Sequence, residues 1–263
     1  MDEPRRDAPT VERIRVGVPT RAPSGDTFAY LVGDGDLLVD PAARTEALDA
    51  AVRRAGTGHV AVTHNHPDHV GAVADYADAF DLTVWARRGC VRAFREATGV
   101  TPDRTYLPGE TIPVGDGVTV IDTAGHAPEH VAFGVADGLV TGDLAVAEGS
   151  VVVGAPHGDM RAYLTSLRRV HARDPARLYP AHGPVIEEPR ATCERLIRHR
   201  LDREGRVLAA VRAGAETTDE ILEAAYEKDL SGVRDLARAT VLAHLEKLAV
   251  EDRLAWDGER ATA

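Results

Sequence analysis

Short apolar runs alternate with amphipathic stretches along most of this chain. "FAYLVGDGDLLVD" (28–40) carries two apolar runs around Gly-Asp-Gly-Asp and predicts a β-hairpin. "TEALDAAVRRAG" (45–56) predicts a helix with Leu48, Ala51, Val52 and Ala55 on one face, ended by Gly56. "HVAVTH" (59–64) reads as a buried strand. A helix over Ala72 to Phe80, a strand "LTVWA" and a helix "CVRAFREATG" follow. "VTVIDTAGH", "HVAFGVADGLVTGD" and "VVVG" give further strand signals. "DMRAYLTSLRRVHA" predicts a helix with Met160, Tyr163, Leu164, Leu167 and Val170 as its core stripe, and "ARLYPAHG" a last strand and loop. This order predicts two sheets with helices outside them.

The texture changes near "IEEPRA" (186–191), which reads as the join between two domains, 11–186 and 190–263. The second is helical in pattern. Leu196, Ile197, Leu201, Val207, Leu208 and Val211 are available for burial on its first helix, and Arg195, Arg198, Arg200, Arg203, Arg206 and Arg212 form a basic face. Thr217 to Glu220 is a capping-box pattern, and an Asp-Gly turn near the C-terminus predicts a hairpin.

Composition narrows the class. The 263 residues, 44% hydrophobic, suffice for a large domain with a smaller one. No apolar stretch reaches the ~20 residues of a membrane span. "MDEPRRDAPT" does not read as a secretory signal, and Cys90 and Cys193 form no short-spaced pair, so a cytoplasmic location is expected. The net charge is -11, and with Lys228 and Lys247 the only lysines, arginine dominates the basic residues. This suits solubility in high salt, as in a halophile, although a GC-rich genome gives the same bias. It argues against a general nucleic-acid surface.

The chemistry concentrates in "HNHPDH". His64, His66, Asp68 and His69 fall within six positions after an apolar run, and Pro67 turns the chain there. A helix starting near Val70 would lend the loop its positive N-terminus. Imidazole and carboxylate are the usual ligands of a hydrolytic zinc ion. His126, Asp143 and His182 each follow a strand signal in a short loop, where they could converge on the same point.

These seven residues, in this order, resemble the metallo-β-lactamase superfamily over roughly residues 11 to 186. The resemblance implies an α+β fold, an αββα sandwich, here with a small C-terminal winged-helix domain. It implies two metal ions, zinc with iron or manganese as alternatives. His64, His66 and His126 would hold one, Asp68, His69 and His182 the other, and Asp143 would bridge them. A bridging hydroxide would be the nucleophile and Asp68 a proton acceptor. His130 is expected to support the ligands rather than bind metal. Asp122 either supports the metal loop or only ends a strand. Asn65 could reach substrate, and His157 suits a loop or cap. His59, His171, His199 and His244 are expected at the surface or an interface, and Cys90 and Cys193 as small buried residues.

The two-domain plan, with "HRLDREGRVLAAV" and "ATVLAHLEKL" in its second part, is similar to the beta-lactamase-like protein 2 group. The implied function is hydrolysis of a small thioester or ester, as in glyoxalase II. An endoribonuclease on single-stranded RNA, a DNA-binding regulator and an iron-dependent sulfur dioxygenase are the alternatives. The expected partner is a small-molecule substrate, with RNA and a homodimer open and no membrane. Glu246, Glu251 and Asp252 among the basic residues of the last helix favour a lid or dimerisation element over a DNA reader.

Overall fold

A computed structural model of the chain describes residues 11–22, 25–227 and 229–263; the N-terminal decapeptide and its signal-peptide expectation lie outside the described residues. Strands β1 (Glu12–Gly17), β2 (Asp26–Val32), β3 (Leu37–Val39), β4 (His59–Ala61), β5 (Thr83–Arg87) and β6 (Arg104–Tyr106) form a six-stranded sheet in that order. The second sheet, of five strands, runs β11 (Leu178–Pro180), β10 (Gly138–Gly142), β9 (Val131–Val135), β8 (Val118–Asp122), β7 (Thr111–Ile112). The expected hairpin is β2 against β3. From β3 to β6 the strands are parallel, joined by helices α1 (Glu46–Ala55), α2 (Pro67–Val70), α3 (Val73–Phe80) and α4 (Val91–Thr98).

Alternation assigns each strand face to a core. Tyr30, Val32, Leu37, Val39, Ala61 and Trp85 point toward the second sheet and pack with its Val118, Val120, Val131, Phe133 and Val140. Their neighbours Ala29, Leu31, Leu38, Val60, Val84 and Ala86 point the other way, against Leu48, Val52, Val73, Tyr76 and Phe94 of the helices. Burial on both faces explains why these strands are continuous apolar runs. Tyr30 also crosses between the sheets, its hydroxyl donating to the Pro180 carbonyl at 2.6 Å.

The contacts divide the chain into two compact units. The first holds both sheets and comprises residues up to Asp122, Glu129–Glu148 and Pro175–Glu188. The second comprises Thr123–Pro128, Gly149–Asp174 and Pro189–Ala263. It contains α5 (Met160–Arg173), α6 (Pro189–Arg212), α7 (Thr218–Ala225), α8 (Arg234–Val250) and a hairpin of β12 (Ala255–Trp256) with β13 (Ala261–Thr262). Val207, Val211, Ile221, Leu222, Val241, Leu245 and Leu248 form its core. The capping box closes α7, with Glu220 N 3.3 Å from Thr217 Oγ1 and Glu220 Oε2 2.9 Å from Thr217 N. Among the described residues no helix is long and apolar enough to cross a membrane.

Several expectations need correction. "VVVG" is not a strand: Val151 and Val153 are buried, but the carbonyls of Val151 and Val152 are taken by the side chains of Arg200 and His126. Pro67 does not merely turn the chain. It sits in the first turn of α2, so the helix begins before Val70 and includes Asp68 and His69. Strands β1, β6 and β7 were not anticipated; β6 and β7 are very short, and β1 and β7 are edges with polar exposed faces. On α6, Leu201 is exposed whereas Arg200 and Arg203 are buried, so the basic face is smaller than its spacing suggests. Arg203 finds its partners inside, donating to the Ala225 carbonyl at 2.6 Å with its guanidinium 3.5 Å from the Tyr226 ring centroid. His244 is fully buried rather than at the surface, facing Glu204.

Candidate metal centre

The chemistry-bearing side chains of the first unit follow the C-terminal ends of strands. β4 leads to His64, β10 to Asp143 and β11 to His182. The β10–β11 pairing skips Thr141, with Val140 opposite Tyr179 and Gly142 opposite Pro180. This irregularity bends the end of β10 just before Asp143. The following backbone stays tied across the edge, Ala181 N donating to Gly142 O at 3.1 Å and Phe28 N to Ala181 O at 2.9 Å.

Gly142 is required where it stands. Its φ is +48°, and a Cβ there would lie 2.4 Å from Thr63 Oγ1 and 3.0 Å from His130 Nε2. His130, fully buried, accepts from Asp143 N at 3.1 Å through Nε2. It therefore holds the Asp143 backbone in place.

Each imidazole has one nitrogen committed. His69 Nδ1 donates to Asp40 Oδ2 at 2.9 Å and His182 Nδ1 to the Asp26 carbonyl at 2.8 Å. Thr63 spends its hydroxyl hydrogen on Asp40 Oδ2 at 2.7 Å, so its oxygen accepts from His64 Nδ1 at 3.1 Å. An oxygen acceptor at Nδ1 puts the lone pair on Nε2. His126, in the second unit, obeys the same rule: its Nδ1 donates to the Val152 carbonyl at 2.6 Å. His66 differs, presenting Nδ1 to His64 Nε2 at 2.9 Å. Two ring nitrogens that close require a shared proton or a cation between them.

The lone pairs converge. His64, His66 and Asp143 each offer a donor atom within 4.8 Å of the others, and so do Asp68, His69 and His182. Asp143 Oδ1 lies 3.3 Å from His182 Nε2 and 3.7 Å from His69 Nε2, while Asp68 Oδ2 lies 3.7 Å from His182 Nε2. His69 Nε2 is sealed from solvent and has no hydrogen-bond partner among the described residues. Burial alone would lower the His69 pKa, but the carboxylates of Asp40 and Asp143 outweigh it and raise it to about 10. A field that binds a proton this firmly also favours a metal cation. The imidazole and carboxylate donors, their fixed tautomers and the buried orphan nitrogen together fit a divalent metal ion.

The other candidates take ordinary places. Asp122 ends β8 and accepts from Arg87 at 3.0 Å; Arg87 also reaches the His130 carbonyl at 3.3 Å. Asn65 donates its backbone N–H to Glu129 at 3.0 Å. His157 is exposed in a loop, His59 accepts from Trp85 Nε1 at 3.1 Å, and His171 meets Glu194 at 2.9 Å. His199 is half-buried, 3.4 Å from Ser150 Oγ. Cys193 is buried, which pushes its thiol up to about 11, and Cys90 is half-buried.

Two residues escaped the sequence reading. Asp40, fully buried with φ +54°, accepts from Thr63 N, Thr63 Oγ1 and His69 Nδ1. Its only signal was an aspartate before proline at a strand end, which also describes an ordinary turn. Thr20 donates to Asp68 Oδ2 at 2.5 Å from a segment with no pattern of its own.

Comparison with known proteins gives the family. The profile of the metallo-beta-lactamase superfamily matches residues 22–182. The chain is 31% identical to the lactamase-like protein adaB of Aspergillus niger, over 95% of this chain and 83% of that one. It is 30% identical to the beta-lactamase-like protein 2 homolog of Drosophila melanogaster, over 87% and 84%. An atrochrysone carboxyl ACP thioesterase of Aspergillus fumigatus is 27% identical over 87% and 77%. Among solved structures, a metallo-beta-lactamase family protein from Thermus thermophilus superposes with a TM-score of 0.74 at 24% identity, covering 96% of this chain and 98% of that one. The strand-end histidines and aspartates and the family match lead to one conclusion: the chain belongs to the metallo-beta-lactamase superfamily.

Proposed function

We propose that this protein is a metal-dependent hydrolase of small thioesters or esters, of the glyoxalase II kind, using two zinc-type ions. His64, His66 and His126 would hold one ion, Asp68, His69 and His182 the other, and Asp143 would bridge. The observation that carries this reading lies within the first unit, where His64, His66 and Asp143 offer donor atoms within 4.8 Å of one another and so do Asp68, His69 and His182. When bound, the ions supply Lewis acidity and a water acidic enough to ionise near neutral pH.

The protein's own residues do the positioning. Asp40, Thr63 and the Asp26 carbonyl fix three imidazoles with Nε2 as the ligating atom. Asp68, its Oδ2 held by Thr20, is the carboxylate proposed to take a proton from the attacking water. The acidic chain suits a small substrate better than a polyanion, and the similarity to a named thioesterase supports the thioester class. α6, α7, α8 and the hairpin are read as a winged-helix-like element serving as a lid or dimerisation surface. His244 and Lys247 on α8 are buried against Glu204, which removes them from any DNA-reading face.

The test is a substrate panel with metal analysis. Purified protein reconstituted with zinc, manganese or iron is assayed on S-lactoylglutathione-type thioesters and on labelled single-stranded RNA. Thioester turnover that disappears in Asp68→Ala supports the proposal. RNA cleavage with thioester inertness, or oxygen-dependent turnover with iron alone, overturns it.

A further inference from the structure

The segment that receives His126 is fastened residue by residue to α6. Gly149 O accepts from Arg195 Nη1 at 2.6 Å, Ser150 Oγ faces His199 Nε2 at 3.4 Å, and Val151 O accepts from Arg200 Nη2. The next carbonyl, Val152 O, accepts from His126 Nδ1. Four consecutive residues thus run from three contacts on one helix to the imidazole. Arg200 is the buried one of the three, 3% exposed, with its guanidinium 5.6 Å from the Tyr163 ring centroid. A guanidinium is desolvated here to hold one carbonyl, next to the carbonyl that sets a histidine tautomer. Strand pairing would ordinarily satisfy such carbonyls, but this segment belongs to no sheet.

We infer that Arg200 is a positioning residue for His126: it fixes the 151–152 backbone so that the Val152 carbonyl orients the imidazole with Nε2 as its ligating atom. The inference rests on the proposed ligand role of His126 and assigns the first helix after the sheets a task in metal binding. Glu204, one turn further on α6, is 2.7 Å from Lys247 and 2.6 Å from Arg253.

The test uses cobalt(II) titration of the metal-free full chain, with site occupancy read from d–d absorption and melting followed in parallel. His126→Ala is expected to abolish binding at one site and leave the other. Arg200→Met is expected to weaken that same site by about tenfold to a hundredfold, the usual effect of losing an outer hydrogen-bond partner, with the second site unchanged. Arg200→Lys, which keeps a donor, should recover part of the loss. Wild-type affinity at both sites in folded Arg200→Met overturns the inference. If Arg200→Met does not fold, Arg195→Ala decides: a weaker first site supports the inference and unchanged binding overturns it. If His126→Ala leaves both sites intact, the ligand assignment itself fails, which is a different result.

Discussion

Asp40 Oδ2 lies 2.9 Å from His69 Nδ1, and both residues are fully closed to solvent. The same carboxylate takes the backbone N–H and the hydroxyl of Thr63, whose oxygen faces His64. One side chain therefore sets two imidazoles. Asp40→Ala leaves three donors without their acceptor in a dry interior. Zinc retention against a competing chelator is expected to fall by about tenfold or more. Denaturant titration of the metal-free protein should show a loss of about 3 kcal/mol. Retention equal to wild type would rule out this role.

Gly142 offers a local test of the bend before Asp143. Gly142→Ala is expected to destabilise the protein by about 2–4 kcal/mol, through its positive φ and the collision with Thr63. Gly149→Ala, with φ +72° and open space around a new Cβ, isolates the backbone part at about 1 kcal/mol. Equal urea midpoints for the two variants would show that the contact with Thr63 does not matter.

Metal removal should be visible in stability as well as turnover. His69 Nε2 is buried with no hydrogen-bond partner among the described residues, and Asp143 Oδ1 lies 3.7 Å from it. Chelation is expected to lower the melting temperature by several degrees and re-addition of zinc to restore it, because ligand binding to the folded state adds RT ln(1 + [L]/Kd). A melting curve indifferent to chelator and zinc would contradict a metal centre here.

The buried pair on α6 and α8 predicts acid sensitivity in two windows. Burial, the first influence on His244, lowers its proton affinity despite Glu204. The unfolded chain therefore binds a proton below about pH 6.5 that the folded one resists, and stability declines as pH falls from there. Burial would raise the Glu204 pKa, but His244 and Lys247 outweigh it and bring it to about 2. Its contribution, on the order of 3 kcal/mol, is present above about pH 4.5 and lost toward pH 2. Denaturation across pH under chelation should show Glu204→Gln less stable than wild type at pH 7, with the gap closing below about 4.5. His244→Gln should flatten the slope between about 6.5 and 5. A constant gap for Glu204→Gln would refute the assignment.

The residues that the sequence could nominate were those with a positional signature. His64, His66, Asp68, His69, His126, Asp143 and His182 each follow an apolar run, so their loops could be placed before their geometry was known. Asp40 carried no such mark, because its role depends on hydrogen bonds with Thr63 and His69, 23 and 29 positions away. Arg200 and Arg203 were misjudged for a related reason. Helical spacing treats arginine as a surface residue, and only the carbonyls of Val151 and Ala225 and the nearby aromatic rings make their burial tolerable. "VVVG" failed similarly, since side chains occupy carbonyls that a strand would have given to its neighbour.

The division of the chain into interleaved segments has a consequence for the order of synthesis. All of the first unit has been made once Glu188 has been added, including six of the seven proposed ligands. The seventh, His126, lies in a segment whose unit is finished only by Pro189–Ala263. During translation, when domains generally fold from the N-terminal end, a nascent chain would contain six of the seven proposed ligand residues in a finished unit before α6, whose side chains contact residues 149–151, had been made. Synthesis of Pro189–Ala263 would then be the step that completes the unit in which His126 lies.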